Sequence, residues 1–132
     1  MPLRLDVKIL DAGITSKEIP LLEEWGKYLA TDSPAKKKMS TSQIRRFFGE
    51  IKRIQADFEN CKNDVVLLDP KIAYAVGRAK KEARHNQEVA IRDFYEMVSP
   101  MIRKIDEDKI KFKHFVQVCE AIVAYHKANG GE

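Results

Sequence analysis

The sequence predicts an all-α protein, a compact bundle of about five helices with an extended N-terminal arm. Apolar residues recur at helical spacing through several long stretches, capping residues and prolines stand where those stretches begin, and short polar connections separate them. A chain of 132 residues holds one domain with one core and is too short for two. Residues 1–15 are read as the arm and residues 16–132 as a single helical-bundle domain.

The arm comes first. Leu3, Leu5, Val7 and Ile9 alternate with Arg4, Asp6 and Lys8, the period of a strand. A lone strand in a helical chain has no internal partner for its backbone groups, so the pattern predicts an arm on another surface or a strand shared between subunits. Thr15 to Glu18 resembles a capping box and Pro20 suits a first helical turn, opening a helix over about 19–30 that turns Leu21, Leu22, Trp25, Tyr28 and Leu29 inward. A connection through Ser33-Pro34 and Lys36, Lys37 and Lys38 leads to Ser40-Thr41-Ser42, which offers N-caps for a second helix. Its stripe is Ile44, Phe47, Phe48, Ile51, Ile54 and Phe58.

Asn60 to Asp64 breaks that helix, and Asp69-Pro70 reads as an N-cap with proline at the next position, opening a third helix. Ala73, Ala75, Gly77 and Ala79 give this helix small residues that permit close approach to a neighbour or a ligand backbone. A fourth helix over about 87–105 contains Pro100, which should kink or divide it. A fifth runs over about 108–127, with Gly130-Gly131 just past its end. Several helices are apolar around more than one face, which predicts burial against a second copy or another subunit, as a dimer or higher oligomer.

Composition excludes several classes of function. No stretch approaches the ~18 apolar residues that cross a bilayer, and the N-terminus lacks the pattern of a signal peptide, so a cytoplasmic protein without a membrane partner is expected. Cys61 and Cys119 are too few for a disulfide scaffold and read as buried apolar residues in a reducing compartment. His85, His114 and His126 are far apart and form no metal-ligand pair. His126 is expected to interact with the final carbonyls of its helix, and Asp106-Glu107-Asp108 with the N-terminus of the last one. Phosphate-binding, dinucleotide-binding and nucleophile-elbow motifs are missing. The expectation is a protein that is not an enzyme, with no cofactor and no metal.

The charge is informative once it is located. Residues 1–33 carry 4 Lys/Arg against 6 Asp/Glu, residues 34–84 carry 13 against 6, and residues 85–132 carry 7 against 8. Positive charge concentrated in one block attracts polyanions through counterion release. On the second helix Arg45 and Lys52 are seven residues apart, as are Arg46 and Arg53, so each pair stacks along one side of the apolar stripe. Lys37 and Lys38 precede this helix, and Lys71, Arg78, Lys80, Lys81 and Arg84 belong to the third or its end. These eleven residues are the candidate polyanion-binding set, for nucleic acid or another acidic surface. With no RNA-recognition motif in view, contact is expected to phosphates, with little sequence reading.

Three segments resemble a known family. Lys37-Lys38-Met39-Ser40-Thr41-Ser42-Gln43-Ile44-Arg45 followed by Phe47, Leu68-Asp69-Pro70-Lys71-Ile72-Ala73-Tyr74-Ala75-Val76-Gly77-Arg78, and Glu120-Ala121-Ile122-Val123-Ala124-Tyr125-His126-Lys127 are similar to segments of the type III-A CRISPR small subunit, the small-subunit family of the Csm complex. They stand in the expected order in a chain of the expected size. The resemblance implies a non-catalytic helical subunit stacked in several copies along an effector that pairs CRISPR RNA with target RNA in antiviral defence. It implies the other Csm-complex subunits as partners, with Lys37, Lys38, Arg45, Lys71 and Arg78 facing RNA. Arg46, Lys52 and Arg53 join by helical geometry, and Lys80, Lys81 and Arg84 by charge. Two other classes stay open from the residues alone: a helical adaptor whose basic face meets an acidic protein, and a helical DNA-binding regulator using the third helix for recognition.

Overall fold

A computed structural model describes residues 1–130. Among them the five expected helices form, as α2 (Ile19–Ala30), α3 (Thr41–Ala56), α5 (Leu68–Glu82), α6 (Ala90–Ile105) and α7 (Lys109–Ala128). Two single-turn helices, α1 (Ile9–Ala12) and α4 (Phe58–Cys61), add to them, and a 3-10 turn, Lys62–Asp64, follows α4. Two residue pairs make a minimal parallel sheet, β1 (Lys36–Lys37) beside β2 (Glu88–Val89), with Lys36 opposite Glu88 and Lys37 opposite Val89. The fold is all-α and compact. No helix among the described residues is long and apolar enough to cross a membrane.

Local chemistry accounts for the helix starts. Ser40 and Gln43 close a full capping box: the Ser40 hydroxyl accepts from the Gln43 backbone N–H at 3.1 Å, and the Gln43 side chain accepts from the Ser40 N–H at 2.8 Å. Before α2, the Glu18 carboxylate accepts from both the N–H and the hydroxyl of Thr15, each at 2.7 Å, and these bonds hold its carboxyl below the usual range. Asp108 caps α7 by accepting from the Lys111 N–H at 2.9 Å, after a chain reversal at Asp106, whose φ is +51°. Gly130 takes a φ of +87° beyond α7, as expected of a glycine there; Gly131 lies outside the described residues.

One core runs through the bundle. Trp25, Leu22 and Leu29 of α2, Ile51 and Ile54 of α3, Met101, Ile102 and Ile105 of α6 and Phe115 of α7 are among its fully buried side chains. The closest approach joins α2 to α7. A Cβ on Gly26 would stand 2.3 Å from the Tyr125 Cβ and 2.7 Å from its carbonyl carbon, so only glycine fits that position without displacing backbone.

Four expectations are corrected. The alternation Leu3-Leu5-Val7-Ile9 does not become a strand; Leu5, Ile9 and Leu10 are buried in the core instead. The segment is held by the Trp25 indole N–H donating to the Leu3 carbonyl at 2.8 Å and by the Leu10 carbonyl against His114 Nδ1 at 2.6 Å. Asp69 does not cap α5, which starts two residues earlier than expected, at Leu68 with Leu67 as N-cap, because hydrogen-bonded turns through Val65–Leu67 carry the chain from the 3-10 turn into it. Its buried carboxylate accepts from Tyr95 Oη at 2.8 Å, Ser99 Oγ at 2.5 Å and Arg103 Nε at 3.1 Å, pinning α5 to α6. Helix α6 begins three residues later than expected, since Glu88 and Val89 pair with β1, and it passes through Pro100 undivided. His126 does not meet the carbonyls ending its own helix: it is buried, with Nε2 2.8 Å from the Met39 carbonyl.

Candidate nucleic-acid interface

Helices α3 and α5 are neighbours, and the eleven candidate cations are spread over several separate hollows and exposed positions. Because α3 buries Ile44, Ile51 and Ile54, the residues on either side of that stripe face different neighbours. Arg45 and Lys52 line a hollow against α7 together with Phe48, Val123 and Lys127. Arg46 lines a groove against α5, which continues past Arg78 at one end and reaches Lys71 at the other. The seven-residue pairing of Arg45 with Lys52 is therefore realised in space. Lys127, absent from the candidate set, completes that hollow; its place at the end of the last helix, far along the chain, gave no signal in the sequence.

The cations also differ in how far their charge is spent within the chain. Arg53 donates to Glu50 and to Asp64, both at 3.1 Å, and Lys71 reaches the same Glu50 at 2.7 Å. Hydrogen bonds from Lys71 and Arg53 hold the Glu50 carboxyl below the usual range, so this end of the groove is a neutral network. Lys52 lies 3.6 Å from Glu120 and over the Phe48 ring. Arg78 is 4.0 Å from Glu82, at the outer limit of an ion pair. Lys80 donates to the Gln87 carbonyl at 3.0 Å and to Glu88 at 3.2 Å, bracing the turn before α6. Arg45, Arg46, Lys37, Lys38, Lys81 and Arg84 form no ion pair among the described residues, and Arg45, Arg46, Lys38, Lys81 and Arg84 are exposed.

The connection that carries the lysines is fastened rather than loose. The Met39 N–H donates to the Leu29 carbonyl at 2.8 Å while the Met39 carbonyl faces His126, and the Lys38 N–H donates to Asp32 at 2.8 Å. Buried Gln87 donates to the Ser33 carbonyl at 3.3 Å, and the Glu88 N–H to the Ala35 carbonyl at 2.8 Å. Lys36 has a structural place. Its ammonium donates to the Tyr28 carbonyl and, at 2.5 Å, to that of Thr31, and stands 4.0 Å over the Tyr28 ring; burial lowers its pKa. Lys37 and Arg84 share a polar hollow with Asp32 and Glu82, where carboxylates offset part of their charge.

The third helix offers less than its small residues suggested. Ala73 and Gly77 are exposed, and a Cβ on Gly77 would meet nothing within 4 Å, so no neighbour within the chain uses that face. Cys119 is buried among apolar side chains, which pushes its thiol pKa up, and Cys61 is half-buried; both are free thiols. No group of three or more metal-ligating side chains occurs among the described residues.

No curated protein and no solved structure shows significant similarity to the chain. A family model described as Csm2 Type III-A matches residues 16–132, a span that begins at the approach to α2 and takes in every long helix. That match covers most of the chain, which therefore belongs to the Csm2 family, the small subunits of type III-A CRISPR effectors.

Proposed function

We propose that the protein is a non-catalytic small subunit that contacts the backbone of the guide–target RNA duplex through the outer surfaces of α3 and α5 and helps to hold the Csm complex together. The observation that carries this reading is the pair Arg45 and Arg46. They are exposed at adjacent positions of one helix, on either side of its buried stripe and free of ion pairs among the described residues, and each opens onto a hollow with a further cation, Lys127 or Arg78. Lys38 and Lys81 add cations without ion pairs among the described residues, Lys37 and Arg84 add cations partly offset by Asp32 and Glu82, and Lys52, Arg53, Lys71 and Lys80 shape the surface through their internal bonds. Guanidinium groups on a rigid helix suit phosphate oxygens, and such contacts give affinity with little sequence preference. Sequence choice then rests with the guide RNA. CRISPR RNA, target RNA and the other Csm-complex subunits are the partners, with self-association of this chain along the assembly, in a cytoplasmic antiviral effector.

Fluorescence anisotropy with labelled RNA tests this. Arg45→Glu combined with Arg46→Glu should weaken binding to all sequences alike, by tenfold or more, and should reduce the slope of log affinity against log salt by about two. Lys17→Glu with Lys27→Glu, outside the basic block, should leave affinity near wild type. Unchanged affinity in the arginine variant refutes the assigned surface. Binding to an acidic protein partner that exceeds binding to RNA would favour the adaptor, and sequence-selective duplex DNA binding the regulator.

A further inference from the structure

The groove between α3 and α5 combines features that phosphate contact alone does not need. It encloses about 450 Å³. Its floor is apolar and buried, from Met39, Leu68, Ile72 and Ile91, and its walls are Phe47, Pro70 and Tyr74. Phe47 is fixed by an edge-on contact with Phe94, their centroids 5.3 Å apart. Tyr74 is 70% exposed and forms no hydrogen bond among the described residues. An exposed aromatic ring beside an apolar hollow is a surface on which a planar group stacks.

The charges at the two ends of this groove select the occupant. At one end Lys71 and Arg53 neutralise Glu50 and Asp64, so the carboxylates there do not repel an anion. At the other, Arg46 and Arg78 stand with Ser40, Ser42 and a single carboxylate, Glu82. Tyr74 and Arg78 are one turn apart on α5, about 6 Å along its axis. An apolar hollow one helical turn from excess positive charge matches a planar base joined to a phosphate. A second copy of this chain is net positive overall, whereas an RNA backbone carries a negative charge at every nucleotide.

We propose that the α3–α5 groove receives an unpaired nucleobase of bound RNA, stacked on Tyr74, with the adjoining phosphate at Arg46 and Arg78. This deepens the RNA-contacting reading and rests on it. Unpaired bases present a π-face that aromatic side chains hold regardless of base identity, whereas bases within an A-form duplex are hidden from such a ring. The groove therefore distinguishes an unpaired nucleotide from a continuous duplex.

The test compares full-length wild type, Tyr74→Ala, Tyr74→Phe and Arg46→Glu in binding single-stranded oligouridylate, the same oligomer carrying abasic positions, and a fully paired RNA duplex. Tyr74→Ala should bind the single strand about tenfold more weakly, bind the duplex as wild type does and keep the wild-type salt slope. Tyr74→Phe should match wild type. The abasic oligomer should bind wild type as weakly as the intact oligomer binds Tyr74→Ala, with no further loss when the two are combined. Arg46→Glu should weaken both single strand and duplex. If Tyr74→Ala binds the single strand like wild type while Arg46→Glu does not, the base site is refuted and the backbone-contacting reading stands. If wild type binds no RNA, both fail. If Tyr74→Ala leaves RNA affinity unchanged but abolishes self-association in sedimentation, the groove belongs to a second copy.

Discussion

Helices α2 and α7 meet backbone to backbone, while α3 and α5 stand apart over an apolar groove. The first seam is closed because Gly26 removes a side chain where Tyr125 passes and because Trp25, Leu22 and Leu29 are buried beside it. The second is open for a different reason. Helix α5 is fastened to α6 through Asp69, whose three hydrogen bonds all reach Tyr95, Ser99 and Arg103 on that helix. At its other flank a polar link to α3 is the surface Lys71–Glu50 pair, and the groove opens beside it. Glycine and bulky apolar residues make a seam that excludes everything, and a buried carboxylate holding a helix elsewhere leaves room for a ligand.

Breaking the closed seam should cost most. Gly26→Ala forces a Cβ into the Tyr125 backbone and should destabilise by about 3 kcal/mol, overpacking of a well-filled interior that cannot relax locally. Thermal or urea unfolding measures it, and a loss below about 1 kcal/mol would mean that α2 can slide off α7 at little cost.

Releasing α5 should cost somewhat less. Asp69→Asn removes the charge that accepts three hydrogen bonds, and about 2 kcal/mol is expected. Burial alone would raise the Asp69 pKa, but the bonds from Ser99, Tyr95 and Arg103 outweigh it and hold the carboxyl below its usual value. A depressed folded pKa contributes stability that is present above the unfolded value, about 4, and is lost as pH falls through the folded one. The stability gap between wild type and Asp69→Asn should therefore be full at neutral pH and shrink below about pH 4. A gap independent of pH down to 2 contradicts the carboxylate's role.

At exposed helix positions outside the α3–α5 groove, change should be tolerated or helpful. Gly77→Ala meets nothing within 4 Å and replaces a glycine inside a helix, so it should stabilise by about 0.5–1 kcal/mol; Gly49→Ala on α3 should do the same. Thermal or urea unfolding measures both, and a loss at either position contradicts the open space around that glycine.

Much of the fold was legible because its signals are local. The Ser40–Gln43 box, Pro20 in a first turn and the stripe from Ile44 to Ile54 each depend on residues within a few positions. What was misread depends on distant partners. Asp69 looked like a cap because it precedes a proline, yet its partners lie 26 to 34 residues onward. Gly26 carries no signal, since its neighbour Tyr125 is at the far end of the chain, whereas of the small residues of α5 Ala73 and Gly77 face outward and Ala79 is buried. The N-terminal alternation was too short to fix a strand without a partner, and burial of Leu5 and Ile9 decided its fate. On the candidate surface, helical spacing separates Arg45 from Arg46, and the two line different hollows. Composition could not reveal which cations are already engaged, because Glu120, Asp64 and Glu50 reach Lys52, Arg53 and Lys71 only in the folded chain.

The Met39 backbone bonds α2 through its N–H and faces α7 through its carbonyl. Lys37 and Lys38 consequently sit on a stretch whose order is supplied by folding rather than by a ligand. Side chains displayed on such a stretch lose only their own rotamer freedom on contact, so a polyanion gains their attraction without having to stiffen the chain beneath them.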